Sequence, residues 1–282
     1  MANERTILIT GATGQQGGAV ARALAGKGFK LRGMTRKPDG DAAKALAQLG
    51  VEIVKGDLDD DASLGAALAG AWGVFSVQNT WEAGVEREEQ QGKHIAKMAK
   101  EKGVQHFVYT SVGSAHKKTG VPHFDNKFRV EETIRGLALP SHVILRPVFF
   151  MENLVSPWFL NGDTLAAGMK PETVLQMVAV EDIGRIGAQA FINATELNRA
   201  EIDIAGDAVT IPAAAEVLSS AMGKKIDFFQ VPIAEVRKNS EDFALMLEWF
   251  DSTGYSADIA DLEKKFGKLT KLADWAKKKL GG

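Results

Sequence analysis

The sequence predicts an α/β protein, with a doubly wound parallel sheet followed by a smaller α/β C-terminal subdomain. Three observations predict it. Short β-branched runs alternate with longer helical patterns through the first half of the 282 residues. The first run ends in a glycine cluster that opens a helix. After Pro147 the rhythm breaks and shorter, mixed elements take over.

The apolar runs are TILIT (Thr6–Thr10), FKLRGMT (Phe29–Thr35), VEIVKG (Val51–Gly56), WGVFSV (Trp72–Val77), VQHFVYTS (Val104–Ser111) and HVILRP (His142–Pro147). Between them QQGGAVARALAGKG, DAAKALAQLG, DASLGAALAG and EREEQQGKHIAKMAKEKG read as helices. They end at Gly26–Gly28, Gly50, Gly70 and Gly103, where glycine takes a left-handed C-cap most easily. Glu86, Glu88 and Glu89 read as a solvated face of the fourth helix. The stretch 148–177 reads as irregular and apolar, broken by Pro157 and Pro171. VAVEDIGRIGAQAFINA then reads as a helix, with Asp182 near its N-terminus where the helix dipole favours a carboxylate. EIDIAG and KIDFFQVP read as short strands, and AAAEVLSSAMG and AEVRKNSEDFALMLEWF as helices. In LTKLADWAKKKLGG, Leu272, Trp275, Ala276 and Leu280 share one face of a capping helix. The expected division is residues 1–150 as the first domain and 151–282 as the smaller subdomain, some of whose segments return to the main sheet.

Composition narrows the function classes. With 45% hydrophobic and 25% charged residues the chain is an ordinary globular one, and a net charge of −2 gives no footprint for nucleic acid. The absence of cysteine removes thiolate catalysis, disulfides and Cys-ligated zinc, and no metal site is expected. No leader segment is visible and no run approaches the ~18 apolar residues of a membrane span, so a cytoplasmic location is expected by default.

TILITGATGQQGGAV sets Gly11, Gly14 and Gly17 straight after a strand and at the start of a helix. Glycines there let backbone N–H groups approach a pyrophosphate, while the helix N-terminus supplies dipole and unpaired donors. Strand, turn and helix in that order argue a Rossmann-type dinucleotide site, although Ala12 takes the second glycine of the better-known spacing. The second strand ends in Thr35-Arg36-Lys37 with no carboxylate before Asp39, which favours NADP(H) with Arg36 forked onto the 2′-phosphate. Asp57 closes the third strand within reach of an adenine amino group, and Asp59–Asp61 start the next helix. Gln78 and Asn79 end the fourth strand, either beside the middle of the cofactor or as plain loop residues.

GATGQQGGAV, TRKPD, VKGDLDD, VQNTWE, FVYTSV, HFDNK and LRPVFFMENL follow one another in an order and spacing that resembles the NmrA-like proteins, atypical members of the extended short-chain dehydrogenase/reductase superfamily. The resemblance covers about residues 5–160 well and the rest loosely. It implies an NADP(H)-binding domain and two kinds of function. One is an NADPH-dependent reductase of a small apolar acceptor such as a quinone or azo compound. The other is a non-catalytic sensor of the NADPH/NADP balance that regulates a protein partner. No DNA-recognition motif and no membrane contact are expected, and a homodimer stays open. On these motifs the cofactor candidates are Gly11, Thr13, Gly14, Gln15, Gln16, Gly17, Arg36, Lys37, Asp57, Leu58, Gln78, Asn79, Lys127, Phe149, Phe150 and Asn153.

The superfamily's usual catalytic pair is Tyr-x-x-x-Lys, in which the lysine lowers the phenol pKa and holds the nicotinamide ribose. Both tyrosines fail the test, because Tyr109 is followed four residues on by Gly113 and Tyr255 by Ile259. Lys127 remains, with His123 at the tyrosine position. Two readings of His123 stay open: a proton donor, or a residue that fills the tyrosine's space. Ser111 matches the superfamily's strand-end hydroxyl, so the catalytic candidates are Lys127, His123 and Ser111. Phe149, Phe150 and Met151 form either an apolar wall by the nicotinamide or part of the core.

Overall fold

A computed structural model describes residues 5–281. β1 (Thr6–Ile9) leads through a left-handed turn at Gly11 (φ 54°) into α1 (Gln15–Leu24). The alternation continues through β2 (Lys30–Thr35), α2 (Asp41–Gln48), β3 (Glu52–Lys55), α3 (Asp61–Leu68) and β4 (Gly73–Ser76). A single turn, α4 (Thr80–Ala83), precedes α5 (Val85–Glu101), β5 (His106–Thr110), α6 (Pro122–Gly136) and β6 (His142–Pro147). Gly26, Gly28, Gly50, Gly70 and Gly103 all take positive φ where the sequence calls for a helix stop. α4 is the addition: Asn79 Oδ1 accepts from Trp81 N at 3.2 Å, and Gly84 (φ 82°) ends the turn.

After Pro147 the stretch expected to be irregular contains β7 (Phe149–Phe150), β8 (Leu160–Asn161), β9 (Thr164–Ala167) and β10 (Val174–Val178). Strands this short, broken by Pro157, Gly162 and Pro171, never sustain the alternation that marks a strand in sequence. α7 (Val180–Ile192), β11 (Glu201–Ile204), β12 (Asp207–Thr210), α8 (Ile211–Met222) and β13 (Asp227–Gln230) follow. The helix expected over 234–250 is two helices, α9 (Ile233–Asn239) and α10 (Glu241–Ser252). Between them Ser240 is extended, and its hydroxyl caps α10 by accepting from Phe243 N at 3.2 Å. α11 (Ile259–Phe266) and α12 (Leu272–Leu280) complete the chain, α12 burying Leu272, Trp275 and Ala276 as its pattern requires.

The chain divides into two units. The first comprises the residues up to Ser111, Asn126–Arg146 and Ile183–Ile202, and the second Val112–Asp125, Pro147–Asp182 and the residues from Asp203 on. The main sheet runs β11-β6-β5-β4-β1-β2-β3, with its central pairs parallel. The strand order reverses between β1 and β4, which opens a crevice at their carboxyl ends. Thr10 ties the two ends together, its Oγ1 accepting from Val77 N at 2.9 Å. Ile7, Leu8, Ile9, Val74, Phe75, Phe107 and Val108 are fully buried, each side chain contributing about 1.5–3 kcal/mol. Gly184 of α7 lets that helix meet α1, since a Cβ there would lie 2.6 Å from the Ala19 backbone. The second unit holds two three-stranded sheets, β12-β10-β7 and β13-β9-β8, around a core that includes Phe124, Phe149, Phe159, Trp249, Phe250 and Trp275.

One buried histidine of the first unit makes stability depend on pH. His106 Nε2 lies 2.9 Å from the Ala190 carbonyl and Nδ1 lies 2.8 Å from Ser141 Oγ, a pattern that suits the neutral ring with its proton on Nε2. Burial pushes its pKa down to about 4. Because the folded value lies below the unfolded one, the contribution is complete above about pH 6.5 and is lost as pH falls toward 4, by up to about 3 kcal/mol. Denaturant unfolding at about pH 7.5 and about pH 4.5 should therefore show wild type losing roughly 2 kcal/mol more than His106→Gln. Equal losses would refute the assignment.

Candidate functional site

The glycine turn is built of backbone because nothing else fits. A Cβ on Gly17 would lie 2.4 Å from the Gly11 carbonyl oxygen and 2.7 Å from that of Thr10. On Gly11 it would lie 2.7 Å from Val77 Cγ1, at a φ that side chains rarely adopt. Gly14 is looser, 3.2 Å from the same Gly11 oxygen, and stands as the N-cap of α1 with no side chain over the helix end. Thr13 and Gln15 are exposed beside it. The Thr13 hydroxyl meets that of Thr35 at 3.3 Å, and Gln16 Oε1 accepts from Thr110 Oγ1 at 2.7 Å. The N-terminus of α1 thus opens unblocked at the strand switch.

At the end of β2, Arg36 and Lys37 are exposed. Arg36 is not a lone cation, however, because its guanidinium is hydrogen-bonded to Glu82 of α4. Asp57 and Asp59 add to the negative field around it. Asp57 spends one carboxylate oxygen locally, accepting from Asp59 N at 3.1 Å, while Leu58 packs its side chain against the core. Asp60 caps α3 through Ala62 N, so the run Asp59–Asp61 does open that helix.

At the ends of β4 and β5, buried polar atoms stand without protein partners. Gln78 Nε2 donates to Ser76 Oγ at 2.9 Å, but its Oε1 is buried and unpaired. Ser111 Oγ and Asn126 Oδ1 are likewise buried with no hydrogen bond. Unpaired groups of this kind are uncommon in folded cores and mark places where a ligand or water completes the structure. Asn79 is engaged as the cap of α4.

Glu88 corrects the sequence reading most sharply. Expected on a solvated face, it is 1% exposed. Its carboxylate accepts from Lys127 Nζ, from Thr80 Oγ1, and from Asn126 Nδ2 at 2.9 Å. Burial alone would raise its pKa, but the Lys127 charge and these hydrogen bonds outweigh that and lower it, so the group is ionised. Glu89 is largely covered too, shared by Lys93 and Arg129, and of the three carboxylates only Glu86 stands exposed. Asn126 also donates to the Val85 carbonyl at 2.7 Å.

In the second unit, His123 is buried and its Nδ1 meets Asp242 Oδ1 at 2.7 Å. Its ring packs edge-on against Phe124. Phe149 belongs to the core, edge-on to Phe159 and Phe250, while Phe150 is half-buried. The Asn153 carbonyl accepts from Ser156 N and Ser156 Oγ. Tyr109 is fully buried, Tyr255 is half-buried against the core of the second unit, and burial pushes each phenol well above its ordinary range. Among the described residues no group of three or more His, Cys, Asp or Glu side chains is arranged to hold a metal.

Sequence reasoning missed Thr80, Glu82, Glu88 and Asp242. For Glu88 a signal existed: it shares a helical stripe with Gly92, Ile95, Ala96 and Ala99, all buried. Asp242 is 119 residues from His123 and no local pattern connects them.

The glycine contacts predict graded sensitivity. Gly17→Ala forces backbone apart and should cost about 2–3 kcal/mol in denaturant unfolding, while Gly14→Ala should cost less than about 1 kcal/mol. Similar costs at both positions would contradict the packing described.

The family model for the NmrA-like family matches residues 3–277. An NmrA-like family domain-containing protein of Dictyostelium discoideum is 24% identical over 301 residues, covering 97% of each chain. Among solved structures, NmrA, a negative transcriptional regulator in complex with NADP, is similar with a TM-score of 0.82 and 21% identity, covering 98% of this chain and 95% of that one. The Citrobacter sp. triphenylmethane reductase complexed with NADP(H) gives 0.79 and 22%, covering 98% and 99%. Likeness at these identities establishes a common fold, and with the family match running almost the length of the sequence, the chain belongs to the NmrA-like family.

Proposed function

We propose that the chain binds NADP(H) and reduces a small apolar acceptor, a quinone, an azo compound or a related electrophile, without a Tyr-x-x-x-Lys pair. The observation that carries the reading is the turn between β1 and α1, where a Cβ on Gly17 would strike backbone and the helix N-terminus stands open. Backbone N–H groups of the Gly11–Gly17 loop, with Thr13, Gln15 and Gln16 beside them, hold the pyrophosphate. Arg36 takes the 2′-phosphate, releasing Glu82 to do so, and Lys37 lies next to it. Asp57 and Leu58 face the adenine. The unpaired Gln78 Oε1 and Ser111 Oγ are polar atoms that a ligand can satisfy, with Asn79 adjoining them. Lys127 donates to the nicotinamide ribose.

When bound, the nicotinamide supplies the hydride; the chain's part is to bind, orient and exclude water. Tyr109 is buried in the core, and burial holds both phenols well above their ordinary range, which leaves neither suited to exchange a proton with an acceptor. Quinone or azo acceptors suit such a site, because their reduced products can take a proton from water. The second unit contributes an oriented imidazole of its own, His123 held by Asp242, as the candidate acid. The NADP-bound regulator that shares the fold favours a second reading, a sensor of cofactor occupancy that acts on a protein partner.

Two measurements decide between these readings. In direct titration, Arg36→Glu should weaken NADPH binding at least about ten-fold and NADH binding no more than about two-fold, since a charge-assisted hydrogen bond to phosphate is lost only for the former. Equal weakening would sink the 2′-phosphate assignment. In NADPH oxidation against a panel of quinones, azo dyes and aldehydes, wild type should turn over the first two classes. Lys127→Ala should abolish that turnover and His123→Ala should leave most of it. Tight NADPH binding with no turnover on any acceptor would favour the sensor.

A further inference from the structure

Glu88 opens α5 and would be expected in water, yet it meets three donors inside the first unit. One carboxylate oxygen takes the Lys127 ammonium and the other takes Thr80 and Asn126. Because Asn126 also donates to the Val85 carbonyl, the start of α5 is tied to the same turn of α6 that carries Lys127. Gly92, one turn along α5, allows the close approach, since a Cβ there would lie 2.9 Å from both Val130 methyls and 3.2 Å from Gln78 Oε1.

An ion pair in so little water is not retained for stability alone, since apolar residues of similar volume often replace such pairs without loss. Chemistry supplies the reason. In a Tyr-x-x-x-Lys pair the lysine must stay a bare cation so that its field ionises the phenol. Here no phenol awaits ionisation, and a bare cation would only oppose protonation of any neighbouring imidazole.

We infer that Glu88 is a positioning residue for Lys127: it fixes the direction of the ammonium and cancels its charge, so that the lysine serves the dinucleotide as a hydrogen-bond donor and not as a field. This rests on the cofactor reading proposed above. Other titratable groups that bear on the pair are few. Tyr109 on β5 is pushed up by burial and by Glu88, Glu131 and Glu89. Glu89 is shared by Lys93 and Arg129, and Glu131 by Arg135 and Arg146.

The test is NADPH binding to the full chain, followed by cofactor fluorescence between about pH 7 and about pH 9.5. Wild type should bind with a flat profile. Glu88→Gln keeps the shape and removes the counter-charge that favours the ammonium, so affinity should become pH-dependent and fall about ten-fold from the low to the high end. Glu88→Asp keeps the charge and shortens the reach; it should stay flat but bind about three-fold more weakly throughout. A purely structural role would weaken binding evenly at every pH. A flat profile in Glu88→Gln overturns the inference. Should that variant not fold, wild-type affinity in Glu88→Asp overturns it instead. A wild-type chain that binds no NADPH overturns the cofactor reading and this inference with it, whereas wild-type binding with an unaltered Glu88→Gln profile overturns the inference alone.

Discussion

Everything at the strand switch depends on one backbone contact, that of Gly17 in α1 against the carbonyl groups of Thr10 and Gly11. A side chain there would push the helix off the strand by up to about an ångström, and the helix N-terminus would move with it. The Thr10–Val77 hydrogen bond closes the same crevice from the β4 side. The turn therefore has no spare volume. With only glycine between them, the helix can start directly against the strand end, and no side chain caps it by a hydrogen bond.

In the first unit three cations are each paired with a carboxylate from an adjoining helix. Glu82 holds Arg36, Glu88 holds Lys127, and Glu131 holds Arg146. α4 and the first turn of α5, residues 80–88, supply the first two. These pairs differ in kind. The first is exposed and weak, a fraction of a kcal/mol at most, so a competing phosphate can displace it. The second lies in little water and has no comparable competitor.

Much of the first unit was legible because parallel strands and their helices follow strict local rules. HVILRP is β6 to the residue, and the glycine stops after α1, α2, α3 and α5 all take the left-handed conformation expected of them. The glycine loop was legible for the same reason. The second unit was not, because β7, β8 and β9 are two to four residues long, and β7 and β9 owe their form to pairing with strands distant in sequence. Glu88 was misread for a different reason: three acidic residues close together look like a surface, and charge was weighed ahead of the helical period that sets Glu88 among Ile95 and Ala99. The partnership of His123 with Asp242 leaves no trace in either local sequence, since it joins α6 to α10 through tertiary packing alone.

That partnership bears on what position 123 can accommodate. A tyrosine at position 123 would create the Tyr-x-x-x-Lys spacing, but a phenol ring carries no N–H near its root. It would take from the Asp242 carboxylate, which is 19% exposed, the 2.7 Å hydrogen bond of the imidazole and leave it the longer one from the residue 123 backbone N–H, at 3.4 Å. At the other end of that spacing stands Lys127, whose ammonium Glu88 already takes. The tyrosine–lysine chemistry would therefore ask for changes at positions 123, 242 and 88 together, on three different helices. The identity of residue 123 is coupled to side chains that its own sequence neighbourhood never names.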